Sequence, residues 1–180
     1  MKSEMKWVCY LAVMFLLFTG CSKKEETTDK QVENQNTVET KTSGNVNTCS
    51  LDKIIELWDA GQAKDAVDIF VNFSWNSPDL YDKGSIFLLS EKEFVAFSQA
   101  ERDSISQKSM KMMASLRPLA RQVVTEGQTY ENEGKTDIAR KYFLSVRQCG
   151  ESLNNDKHLL SVKMVGKAIQ ELGTKKLNEL

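Results

Sequence analysis

From Leu51 to the C-terminus the apolar residues recur at spacings of three and four, with no strand-like alternation. This pattern constrains the chain more than any other feature. Residues three and four apart share one face of an α-helix, whereas strand side chains change face at every residue. Ile54, Ile55, Leu57 and Trp58 form one apolar face, which Gly61-Gln62 interrupts. Ala66, Val67, Ile69, Phe70 and Phe73 form a second, closed by the turn residues Asn76, Ser77 and Pro78. The spacing predicts a helix pair. It predicts another where Val123, Gly127 and Tyr130 lead to Gly134, followed by Ala139, Phe143 and Val146. In each pair a small residue, Ala66 or Ala139, lets the partner helix approach, and an aromatic residue fills the space one turn on.

Between the pairs, Ser90-Glu91-Lys92-Glu93 has the form of a capping box and predicts a helix carrying Phe94 and Phe97. Ile105, Met112, Met113, Leu116, Leu119 and Val123 extend the helical spacing, predicting one long helix from about Arg102 to Glu133. Pro118 lies inside it, where it removes a hydrogen bond and is expected to kink or split the helix. Asn76 to Ser85 is the longest predicted loop and is read as a connector. Met110, Met112 and Met113 suit core packing or an adaptable binding face, core packing first.

The two pairs resemble tetratricopeptide repeats. In that pattern Gly-x-x-Tyr marks the first helix, Gly the turn, and Ala-x-x-x-Phe the second helix. Gly127, Tyr130, Gly134, Ala139 and Phe143 match it, and Gly61, Ala66, Phe70 and Pro78 match in part. Gly166, Ile169 and Gly173 suggest a third, truncated copy with its second helix at Thr174 to Leu180. The turn glycines are 73 and 39 residues apart, not at the even period near 34 of a regular array. The fold expected is therefore all-α, a small bundle of antiparallel helix pairs, irregular and tetratricopeptide-like, with an interaction groove as the resemblance's functional implication.

The N-terminal part reads differently. Lys2 and Lys6 precede Trp7–Phe18, an uncharged apolar run of 12 residues. That is too short to cross ~30 Å of hydrocarbon, which takes about 20 residues, but it suits a signal sequence. The run ends in Phe18-Thr19-Gly20-Cys21, which resembles the bacterial lipobox, with Phe18 where an aliphatic residue is usual. The resemblance implies cleavage after Gly20, a diacylglycerol thioether on Cys21, and a membrane anchor. Ser22, where Asp would favour retention in the inner membrane, implies the outer membrane if the source has two. Ser22 to Asn47 holds no aromatic residue and only Val32, Val38 and Val46 as large aliphatics. It cannot bury enough surface to offset ordering entropy and is expected to be a disordered tether. The chain thus divides into a leader at 1–20, a lipidated Cys21 and tether at 21–47, and a helical domain at 48–180.

Composition limits function. The segment from Thr48 onward holds 18 basic and 19 acidic residues, not the basic excess of a nucleic-acid binder. No Cys-x-x-Cys, His-Glu-x-x-His, phosphate-binding Gly-Lys-Ser or Gly-x-Ser-x-Gly pattern occurs, so no catalytic, metal or cofactor residue is assigned and no enzyme is expected. The single histidine, His158, follows Asn154-Asn155-Asp156-Lys157 and is expected in an exposed turn. Cys9 lies in the leader and Cys21 carries lipid, leaving Cys49 and Cys149 as two free thiols or as one disulfide closing a loop of about 100 residues. The expected role is protein–protein interaction or envelope complex assembly, with an unidentified envelope protein as partner and the membrane held through the lipid anchor. The alternatives are a spacing lipoprotein without a ligand, or a small-molecule binder using a cleft near Trp58, Trp75 and Tyr81. A concave groove with exposed aromatics would favour the first, a uniformly charged surface the second, and a closed pocket the third.

Overall fold

The computed structural model describes residues Cys49–Leu180, and every regular element among them is helical. Cys21, the leader and the tether lie outside the described residues. Six α-helices follow in order: α1 Leu51–Asp59, α2 Ala63–Asn72, α3 Glu91–Ala96, α4 Gln99–Asn132, α5 Thr136–Leu153 and α6 Leu160–Glu179. A single 3₁₀ turn, Ile86–Leu88, precedes α3.

The predicted pairs form as helical hairpins. Ser50 caps α1 by accepting from the backbone N–H of Lys53 at 3.1 Å. Gly61 and Gly134 hold φ values of 77° and 74°, the left-handed region that only glycine enters without cost, and each turns the chain into the next helix. The core gathers Ile54, Phe70, Leu116, Leu119, Val123, Phe143, Val146, Leu153 and Val162, all fully buried. Ala139 is buried as its small side chain requires, and a Cβ on Gly127 would stand 2.5 Å from Cε1 of Phe143.

α4 begins three residues before the expected start, because Ser98 and Glu101 build a second capping box that the sequence reading passed over. Pro118 does not split it. Both Pro118 and Ala114, whose carbonyl loses its helical donor to the ring, lie on the exposed side, so the freed carbonyl is not left buried.

Two expectations fail for physical reasons. Gly173 makes no turn, and α6 runs unbroken through Gly166 and Gly173 to Glu179. These glycines, with Gly150 of α5, are where two helices nearly touch. A Cβ on Gly150 would lie 2.1 Å from the Gln170 nitrogen, one on Gly166 2.7 Å from the Asn154 nitrogen, and one on Gly173 2.5 Å from the Arg147 nitrogen. The stretch after α2 is likewise more than a connector. Trp75 and Leu80 sink into the core, and Trp75 Nε1 donates to Ser145 Oγ at 3.0 Å while that hydroxyl donates to the Phe70 carbonyl at 2.8 Å. The segment is laid along α5 as core material.

Candidate functional site

A cleft of about 370 Å³ lies between α1, the Asp82–Ser85 turn and α4. Asp52, Glu56 and Asp59 share one face of α1 at helical spacing, and Lys108 and Lys111 approach from α4 over Ile55 and Met112. Asp52 is already employed. Its carboxylate accepts from Ser85 Oγ at 2.8 Å and from the Asp82 N–H at 3.2 Å, which fixes the turn. Burial pushes its carboxyl above the ordinary range, partly offset by the Ser85 and Asp82 hydrogen bonds. The Ser85 hydroxyl beside Asp52 is itself buried and accepts from the Phe87 N–H at 3.2 Å, so the pair fastens the turn to α1. Among the described residues no three His, Cys, Asp or Glu side chains stand together to hold a metal ion.

Trp58, Trp75 and Tyr81 do not form the expected aromatic cleft. Trp75 is buried edge-on to Phe70 and Phe73, with centroids at 4.7 and 5.0 Å. Tyr81 stacks on Phe87 at 5.3 Å and donates to the Ser152 carbonyl at 3.3 Å, and burial raises its hydroxyl to about 12. Trp58 remains half-buried on α1.

His158 is not the exposed turn residue expected. It is 7% exposed, because its ring tucks between two backbone carbonyls, Phe87 facing Nδ1 and Ser152 facing Nε2 at 3.1 Å. Ser152 lies in the last turn of α5, where carbonyls lack helical donors. His158 therefore ties the 3₁₀ turn to the α5–α6 junction, a structural role that no local sequence signal announces.

Cys49 and Cys149 are free thiols in the structure. Cys149 is fully buried on α5, and burial pushes its thiol far up. Cys49 is half-buried before α1; its thiol is raised by burial first, then by Asp82, with Lys53 opposing. Neither has the electropositive setting of a reactive cysteine. The methionines divide: Met113 is in the core, Met112 lines the cleft and Met110 is exposed.

The feature that sets this surface apart is apolar exposure at one end of the bundle. Six large apolar side chains are exposed among the described residues, and five of them, Leu88, Val95, Met110, Leu160 and Met164, lie between 52% and 65% exposed. Hydrogen bonds join α3, α4 and α6, the elements that carry four of them. Glu91 at the start of α3 accepts from the Leu160 N–H at the start of α6. Ser109 of α4 meets Ser161 of α6 at 3.5 Å. Beside them, no residue from Ser90 to Lys108 is buried. This arm of α3 and the first turns of α4 is nonetheless ordered by two capping boxes, Ser90 with Glu93 and Ser98 with Glu101. Phe94, Phe97 and Ile105 on it are only half covered.

No known protein family, curated protein sequence or solved structure matches the chain.

Proposed function

We propose that the protein is a lipid-anchored lipoprotein of the cell envelope whose helical domain binds another envelope protein and performs no catalysis. The observation that carries the interaction role is the arm Ser90–Lys108, an ordered helical segment with no buried residue. Two capping boxes at typically ~1 kcal/mol per cap sustain helix where burial does not. Such an arm, with Val95 exposed and Phe94, Phe97 and Ile105 half covered, presents an apolar helical surface to a partner. The anchor reading is supported by Phe18-Thr19-Gly20-Cys21 after the apolar run. The helical pairs, with Gly127 against Phe143 and glycine turns at Gly61 and Gly134, support the tetratricopeptide-like reading of the domain.

The test is a photo-crosslinking side chain at Val95 in the native envelope, compared with one at Ile138, exposed on α5. The reading predicts a discrete product from Val95 that disappears when Phe97→Asp is added and is absent from Ile138. Equal or no crosslinking at both positions would refute it.

A further inference from the structure

We propose that the end of the bundle carrying Leu88, Met110, Leu160 and Met164 docks on the lipid surface of the membrane that holds the anchor. The inference deepens the reading above and rests on its lipid anchor, leaving the arm to the protein partner.

The first observation is the apolar end itself. Leu160 and Met164 are one turn apart on α6, and both are exposed. His158 clamps the 3₁₀ turn beside them, placing Leu88 at the same end, and the Ser109–Ser161 contact brings the turn of α4 that carries Met110. Four of the six exposed large apolar side chains, from three separate elements, share one end, a clustering that marks a docking site more than scattered exposure does.

The second observation is where the chain enters the domain. The Leu51 N–H donates to the Leu80 carbonyl at 2.9 Å. The next residue, Tyr81, donates to Ser152 and meets the His158 ring edge-on with centroids 5.5 Å apart. The start of α1 and the apolar end are therefore separated by one aromatic layer, Tyr81 and His158. On the anchor reading, 27 residues separate Cys21 from Cys49. The anchor and the domain are thus joined through the end that carries the exposed apolar residues, which raises the effective concentration of that end at the membrane, so a modest apolar contact is enough.

The third is the rim. Lys157 precedes His158 in the α5–α6 turn and Lys92 follows Glu91; both are exposed, but Asp156 beside the first and Glu91 and Glu93 beside the second leave this rim without net positive charge. The lysine stems lie along apolar surface, and the docking rests on apolar contact, not on attraction to anionic lipid. Acyl chains and an apolar face together make the pair of signals that stable peripheral attachment needs.

The experiment uses the full chain, purified from membranes and reconstituted into phosphatidylethanolamine–phosphatidylglycerol vesicles with brominated acyl chains. Leu160→Trp and Ile138→Trp each report contact with lipid, since bromine quenches an indole that reaches the acyl region. The proposal predicts strong quenching for Leu160→Trp and none above the parent for Ile138→Trp. It also predicts at least a ~tenfold fall in that quenching when Leu88→Asp and Met164→Asp are added to the lipidated Leu160→Trp protein. Circular dichroism confirms that each variant folds. No quenching of Leu160→Trp with Cys21 shown to be lipidated would overturn docking and leave the anchor standing. Quenching by added vesicles with Cys21 unmodified would support docking and remove the anchor. Shielding of Leu160→Trp that needs no lipid, and rises with protein concentration or with an added envelope protein, would assign this end to a second copy or a protein partner and overturn the proposal.

Discussion

Gly150→Ala should destabilise this domain, although replacing glycine in a helix usually gains stability. The gain from helix propensity is about 1 kcal/mol. Against it stands the geometry of α5 on α6: an added Cβ would lie 2.1 Å from the Gln170 nitrogen and 2.5 Å from its Cα. Favourable contact between such atoms needs about 3.5 Å or more, so α6 must retreat by ~1 Å. Neighbouring buried side chains, Val146, Cys149 and Leu153 on α5 with Val162, Val165 and Ile169 on α6, then lose part of their packing. A gap of that size forfeits at least a quarter of a contact's attraction, or about 3 kcal/mol over six side chains worth roughly 2 kcal/mol each. The net loss is about 2 kcal/mol, within the usual cost of overpacking. In a domain of this size that lowers Tm by roughly 6–10 °C. Urea and thermal unfolding followed by circular dichroism would measure it. Adding Gln170→Ala should not restore stability, because the clash is with backbone. A Gly150→Ala protein as stable as the parent, or more so, would refute the close approach of α5 and α6.

Three further outcomes follow from particular contacts. Ser145→Ala leaves the indole N–H of Trp75 buried without a partner and the Phe70 carbonyl with the Phe73 N–H at 3.4 Å, and should cost about 1–3 kcal/mol by urea unfolding. The side chains of Glu93 and Glu101 hydrogen-bond to Ser90 and Ser98, which holds both carboxyls below the ordinary glutamate value of 4.5. A depressed carboxyl contributes stability above its unfolded value and loses it as pH falls through the folded one. Amide exchange at the starts of α3 and α4 should therefore accelerate on acidification below about pH 4.5, beyond the intrinsic pH dependence, before the buried α5–α6 pair responds. With thiol reagents on the native domain, Cys49 should react and Cys149 should not until unfolding exposes it; equal rates would contradict the burial of α5.

The parts of the fold legible in the sequence are those set by local chemistry. Apolar spacing marks the helices, Gly61 and Gly134 mark turns that need a left-handed residue, and Ser90 with Glu93 marks a helix start. The Ser98–Glu101 box carries the same local signal and could have been found the same way. What escaped depends on distant partners. A glycine in a helical pattern can end a helix or admit another helix, and only the nearness of Arg147 makes Gly173 the second kind. His158 sits among polar turn residues, yet two carbonyls from elements 71 and 6 residues away draw it inside. Trp75 and Leu80 lie in a stretch rich in Asn, Ser and Pro whose burial is decided by the groove along α5. The apolar end is assembled from the 3₁₀ turn, α4 and α6, so no single window of sequence displays it.

The central claim is that the arm Ser90–Lys108 is a surface covered by a partner in the envelope. Hydrogen exchange on the protein in its native membranes, set against the same protein purified in detergent, tests it most directly. The account predicts slower exchange for amides of Glu91–Lys108 in the membrane sample, with α5 unchanged, and loss of that protection with Phe97→Asp. Equal exchange of the arm in both samples would contradict it.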